Sequence, residues 1–170
     1  MRRQIMYHTI EEFLKEWSYE SESTQKILDL VTDESLPTKV SKGERSLGFL
    51  AWHLVISVHE MMSRIGLEFD APHYEAELPT KASEIANGYR QANHGFKNAI
   101  QKWTDASLND KHDMYGEMWS NATTLNVLVK HQIHHRGQLT MLMRKAGLPL
   151  IGVYGPSREE WASYGGDIPE

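Results

Sequence analysis

One predicted helix constrains this chain more than any other segment, because two histidines stand where its apolar stripe should carry leucine. The helix is expected to begin near Ser120 and to end before Gly147. His131 and His135 are four residues apart, which places them one turn apart on the same helical face. The inward stripe comprises Leu128, His131, His135, Leu139 and Leu142. Each inward imidazole must satisfy two ring nitrogens, and two that point at one spot commonly do so by binding a metal ion.

A pair of histidines with this spacing also occurs on helices that bind no metal, so the pair alone leaves a core or surface role open. His134 lies roughly 80–100° around the helix from the other two, and we expect it to support the site indirectly or to face solvent. Gly137 costs about 1 kcal/mol relative to alanine inside a helix, so we expect it to permit the close approach of a neighbouring element.

Three further amphipathic helices are predicted upstream from apolar residues spaced three and four apart. Their expected extents are 9–31, 46–66 and 80–103. Thr9 and Glu12 match a capping box at the start of the first, and Thr80 is the expected cap of the third. We expect 104–121 to be an irregular link that carries part of the site, and the Gly/Pro-rich tail after Gly147 to be irregular too. The prediction is an all-α four-helix bundle, with residues 1–170 as one domain.

Composition argues against several classes of protein. No apolar run approaches the ~20 residues that span a membrane, and the N-terminus lacks the apolar segment of a secretory signal. The chain has no cysteine, which removes disulfides, thiolate ligands and cysteine nucleophiles. A net charge of −5 provides no basic surface for nucleic acid. We therefore expect a cytoplasmic protein that binds neither membranes nor nucleic acid.

A metal held by the histidine pair needs at least one more protein ligand, and His53 is the best-placed candidate. It lies on the edge of the second helix's stripe, roughly 120° from its centre, in a column with Ser57 and Glu60. His59 projects from the opposite side and is expected to face solvent. Three imidazoles leave coordination positions open, as in catalytic sites, and an all-nitrogen ligand set favours zinc or nickel.

Four short segments carry a more specific signal. They are HQIHHRGQL at 131–139, LAWHL at 50–54, GLP at 147–149 and VYGPS at 153–157. Together they resemble the DinB family of bacterial proteins, which is related to the YfiT-like metal-dependent hydrolases, over essentially the whole chain. The resemblance implies a four-helix bundle, often a homodimer, that holds a divalent ion with three histidines. By this resemblance the ligands fall at His53, His131 and His135.

The resemblance leaves the reaction open and assigns no individual catalytic residue. It extends to enzymes that use such a metal to activate a low-molecular-weight thiol, such as bacillithiol or mycothiol, for transfer to an electrophile. The chemistry is reasonable because a metal lowers the pKa of a bound thiol as it does that of water. We therefore favour a metal-dependent transferase acting on a small thiol, with a hydrolase as the near alternative. A non-catalytic, stress-related metal-binding dimer is the alternative from another class, and a regulatory domain acting on nucleic acid is disfavoured by charge.

Overall fold

The main elements of the chain are four long helices and one β-hairpin. The computed structural model describes residues 7–165 and 167. The helices are α1 (Ile10–Leu28), α2 (Leu47–Ser63), α3 (Ala82–Ile100) and α4 (Asn121–Lys145). Strands β1 (Lys111–Met114) and β2 (Glu117–Ser120) pair antiparallel between α3 and α4. Short 3-10 turns span Asp33–Ser35, Asp105–Asn109 and Trp161–Tyr164. The expectations for the first six residues and the last three, including the ends of the proposed 1–170 domain, lie outside the described residues.

Each of the four helices packs mainly against two others. Helix α2 packs against α3 and α4, and α1 packs against the same two helices from the other side. The centre of the α1–α3 contact is aromatic, with Phe13, Trp17 and Phe96 fully buried and in ring contact. Within the described part of the chain, no helix is both long and apolar enough to cross a bilayer.

The chain is mostly helical, but the all-α prediction is wrong for the segment that forms the hairpin. Tyr115 and Gly116 form its two-residue turn with φ values of 60° and 84°, as the tight hairpin turn requires. The carboxylate of Asp113 accepts a hydrogen bond from the Gly116 amide at 3.0 Å. Tyrosine rarely adopts a positive φ, so the sequence carries no ordinary hairpin signal here. The hairpin leads directly into α4, because Ser120 ends β2 and also caps the helix.

Some helices are capped by a side chain next to them in sequence, and others by a side chain that is distant in sequence. The predicted capping box at Thr9 is present at the start of α1. Helix α3 begins one residue later than expected, because Lys81 rather than Thr80 occupies the cap position. The carboxylate of Asp33, from the connection between α1 and α2, accepts from the Ala82 amide at 2.8 Å and from the Lys81 ammonium at 2.9 Å. A side chain distant in sequence therefore defines where α3 begins.

Two helical glycines differ in what surrounds them. A methyl group added at Gly95 on α3 would overlap the backbone carbonyl of Asp70, so this glycine lets the loop between α2 and α3 pass close to the helix. A methyl group added at Gly137 on α4 would meet nothing within 4 Å. The expectation that Gly137 permits a close approach is therefore wrong, and Gly95 has that role instead.

We predict opposite effects of alanine at these two positions. Gly95→Ala should lower the free energy of unfolding by about 1–3 kcal/mol, because the loop backbone must move away. Gly137→Ala, the matched control, should raise it by about 0.5–1 kcal/mol through helix propensity. Urea denaturation followed by circular dichroism measures both. Similar effects of the two substitutions would contradict the close contact at Gly95.

Candidate metal centre

The structure brings together the three histidines that the sequence analysis selected. His53 on α2 and His131 and His135 on α4 offer ring nitrogens that all lie within 4.8 Å of one another. Nε2 of His53 is 3.1 Å from Nε2 of His131. Two nitrogens bound to one ion at about 2.0–2.1 Å are roughly 2.9–3.4 Å apart, depending on the coordination angle. The donor set and its spacing therefore fit a single divalent ion, and the group could hold one.

Burial keeps the three imidazoles uncharged. Burial is the largest cause that lowers the pKa of His53 to about 4, and the neighbouring His135 and Arg45 lower it further. Burial followed by the proximity of His135 and His53 lowers the pKa of His131 to about 4. Burial also lowers the pKa of His135, although a hydrogen bond to Gln138 acts in the opposite direction. At neutral pH each ring can therefore offer a lone pair to a cation without first losing a proton.

The side chain of Gln138 orients one of the rings. Its Oε1 accepts from Nδ1 of His135 at 2.8 Å, which leaves Nε2 of His135 for the cluster. The amide nitrogen of Gln138 contacts His134 at 3.1 Å, and His134 is exposed. As expected, His134 is not one of the three converging ligands; its ring instead packs against that of His135, with the centroids 4.9 Å apart. Nδ1 of His131 is buried and has no hydrogen-bond partner in the described structure, so packing orients that ring.

A buried amide aligns the two helices that carry the histidines. Gln132 is fully buried, and its Nε2 donates to the Leu54 carbonyl oxygen on α2 at 2.9 Å. Its Oε1 accepts from the Tyr89 hydroxyl on α3 at 3.1 Å. Gln132 directly follows His131, and Leu54 directly follows His53. The hydrogen bond therefore places the two histidine-bearing turns side by side. Gln132 was not among the predicted site residues, although its position one turn beyond Leu128 puts a polar residue on the inward face.

A buried ion pair connects α4 to α1. Nη2 of Arg136 lies 2.6 Å from the Glu20 carboxylate on α1, and both side chains are buried. Nη1 of Arg136 donates to Thr24 at 3.1 Å. The Tyr154 hydroxyl, from the C-terminal tail, donates to Glu20 at 2.7 Å and accepts from Arg136 at 2.9 Å. Because Arg136 follows His135, this network fixes the turn of α4 that carries the third histidine and attaches the tail to it.

A cavity of about 420 Å³ borders the cluster. It is lined by His53, Ile56, Ser57, Glu60, Met61, Tyr74, Tyr115, Val127 and His131. Ser57 and Glu60 reach it because they share the predicted column with His53 on α2. Tyr115 reaches it from the tip of the hairpin, so the segment expected to be an irregular link does contribute to the walls. Nothing in the sequence beyond an aromatic residue directly before a glycine indicated that Tyr115 would line the cavity.

The remaining histidines lie outside the cluster. His59 is half-buried among the rings of Phe69, His73 and Tyr74, with its ring centroid 5.0 Å from that of His73. The expectation that His59 faces solvent is therefore wrong. His94 is exposed on α3 and contacts Asn98.

Comparison with known proteins finds relatives that match nearly the whole chain. Residues 6–170 match the model of the DinB family. The chain is 42% identical to YrdA of Bacillus subtilis (strain 168) over 166 residues, which cover 97% of this chain and 99% of that protein. The crystal structure of a DinB-like protein from Bacillus cereus ATCC 10987 is 47% identical, with a TM-score of 0.85 over 88% of this chain and 100% of the other. The DinB-like protein YjoA of Bacillus subtilis has a TM-score of 0.67 at 16% identity, over 86% of this chain and 99% of that one, and so shares the fold.

We predict that the metal-free protein loses stability as the pH falls from about 6.5 to about 4. The pKa of His53 and of His131 is about 4 in the folded protein, below the value of about 6.5 in an unfolded chain. Between these values the unfolded chain binds protons that the folded protein does not, so protonation favours unfolding; above pH 6.5 this contribution is complete and constant.

Urea unfolding of metal-free protein at a series of pH values measures this dependence. The double variant His53→Gln/His131→Gln serves as the comparison, because carboxylates also titrate near the lower end of the range. Its loss of stability should be smaller than that of the wild-type protein. Equal losses would show that the two imidazoles are not desolvated.

Proposed function

This chain belongs to the DinB family, and we propose that it is a metal-dependent enzyme that holds one divalent ion with His53, His131 and His135. The observation that carries the proposal is the convergence of three uncharged imidazoles at the border of a cavity. A set of three nitrogen ligands favours zinc or nickel. Three protein ligands leave room for a further one, as in catalytic rather than structural centres. We interpret the four packed helices as a four-helix bundle that supports this centre.

We further propose that the enzyme activates a small thiol for transfer to an electrophile. An ion held by His53, His131 and His135 would lower the pKa of a thiol bound to it, so that the thiolate would be available at neutral pH. The histidines supply lone pairs, and Gln138 keeps the His135 ring in the required orientation. The chain contains no cysteine, so a sulfur nucleophile must come from solution. A volume of about 420 Å³ is within the range of sites that enclose small organic molecules.

The hydrogen bonds of Glu60, the carboxylate that lines the cavity, favour a thiol over water as the nucleophile. Attack by water needs a nearby group that accepts its proton. Glu60 is the one carboxylate among the described residues of the lining. Its Oε2 accepts from the Tyr115 hydroxyl at 2.7 Å, and its Oε1 accepts from Nε of Arg64 at 2.5 Å. Because both oxygens are already engaged, Glu60 is poorly placed to serve as a base, and a thiol that ionises more readily needs that help less.

We predict that each of the variants His53→Ala, His131→Ala and His135→Ala lowers zinc affinity by at least about 100-fold, since each removes one of three ligands. Competition with a chromophoric chelator measures the affinity. His94→Ala, which removes an exposed histidine on α3, is the matched control and should bind zinc as the wild type does. Wild-type affinity in the His53→Ala variant would contradict a centre shared between α2 and α4.

The proposed activity is tested with protein loaded separately with zinc and with nickel. Loaded protein is mixed with bacillithiol, mycothiol or a simple thiol and with an electrophile that becomes fluorescent on thiol addition. We expect a rate above that of the spontaneous reaction, and its loss in the metal-free protein and in His131→Ala. No acceleration with any thiol would contradict the transferase, and metal-dependent ester hydrolysis without thiol would favour the hydrolase.

A further inference from the structure

We propose that the cavity beside the histidines binds the uncharged, aromatic or branched apolar part of the electrophilic substrate, and that Glu60 and Tyr115 determine this specificity. The inference rests on the proposed function and extends it to a class of substrate. It assigns to the hairpin the role of forming one wall of the substrate site.

The walls of the cavity complement an apolar ligand. Ile56, Met61 and Val127 supply aliphatic surface, and Tyr74 and Tyr115 supply aromatic rings. No lysine or arginine lines the cavity in the described part of the chain. A flat or branched hydrocarbon group would therefore bury its surface here against side chains of the same kind.

The charge that faces the cavity is negative. Arg64, which pairs with Glu60, does not line this cavity but borders a smaller depression together with Ser63 and Tyr74. Its guanidinium also lies over the Tyr115 ring, 4.7 Å from the centroid. The carboxylate of Glu60 thus stands between the cavity and the cation that neutralises it. A carboxylate on a ligand that does not reach the metal ion would meet a like charge at short range, with no lysine or arginine of the described chain facing it, so the cavity disfavours such ligands.

Tyr115 holds Glu60 in this position at a cost to its own backbone. Its φ of 60° lies in the left-handed region, which is unfavourable for a residue that carries a side chain. Glycine would form the same turn without strain. The tyrosine ring instead covers one side of the cavity, and its hydroxyl donates to Glu60 at 2.7 Å. Tyr115, the residue with the unfavourable backbone conformation, therefore connects the hairpin to Glu60.

The test compares two ligands of the same shape and different charge, 2-naphthamide and 2-naphthoate. Their dissociation constants are measured by NMR chemical-shift titration, and the methyl groups of Ile56 and Val127 report whether a ligand enters the cavity. Metal-free and zinc-loaded proteins are both titrated, so that coordination of naphthoate to zinc is recognised. Metal-free wild-type protein should bind the amide about tenfold more tightly, as expected for one like-charge contact at partial exposure.

Substitutions then assign the preference to single residues. In Glu60→Gln the dissociation constants of 2-naphthoate and 2-naphthamide should differ by no more than about twofold. Glu22→Gln, an exposed change on α1, should leave their ratio as in the wild type. Tyr115→Gly keeps the turn and removes the ring, so it should weaken binding of the amide about fivefold. Tyr115→Phe keeps the ring, so its dissociation constant for the amide should stay within about twofold of the wild-type value.

The outcomes separate this proposal from the proposed function. Equal binding of the two ligands by the metal-free wild type, an unchanged ratio in Glu60→Gln, or shifts confined to residues away from Ile56 and Val127 would each overturn the specificity. Failure of the protein to bind zinc would contradict the metal centre, yet the titrations of metal-free protein would still show whether the cavity selects uncharged aromatic ligands.

Discussion

The hydrogen bonds of the buried Gln132 side chain set the register between α2 and α4, and the histidine cluster depends on that register. The amide nitrogen donates to the Leu54 carbonyl oxygen at 2.9 Å and lies 3.3 Å from the Ser57 hydroxyl. A slip of one helical turn moves a residue by about 5.4 Å, which would separate His53 from His131 beyond the reach of one ion. Apolar contacts alone would oppose such a slip less than these hydrogen bonds do, because one aliphatic contact can replace another.

A second polar contact connects α4 to α1. Arg136 and Glu20 form an ion pair with side chains only 4% and 5% exposed, and a charge at such a depth is costly unless it is paired. Gln132 and Arg136 are four residues apart and connect α4 to different neighbours. Rotation or translation of α4 would break one or both contacts. The contacts of these two polar residues therefore fix the positions of His131 and His135.

The parts of this structure that the sequence predicted are those determined by local spacing. The turns of helix that carry the histidines follow from apolar periodicity, and the capping box at Thr9 follows from its own four residues. The errors arise where distant groups decide. The carboxylate of Asp33 shifts the start of α3 by one residue. The hairpin was not predicted because its turn has no typical turn sequence, and the side chain of Tyr115 at that turn contacts Glu60, which is distant in sequence. Nothing in the neighbouring sequence shows that Gly95 rather than Gly137 has a close neighbour.

The central claim is that three imidazoles, one from α2 and two from α4, bind the same ion. X-ray absorption spectroscopy of the zinc-loaded protein tests it most directly, because the outer-shell scattering of imidazole rings counts the histidine ligands. We expect three imidazoles with nitrogens at about 2.0–2.1 Å, and two in the His53→Ala variant. Fewer than three in the wild-type protein, or an unchanged number in His53→Ala, would contradict the account.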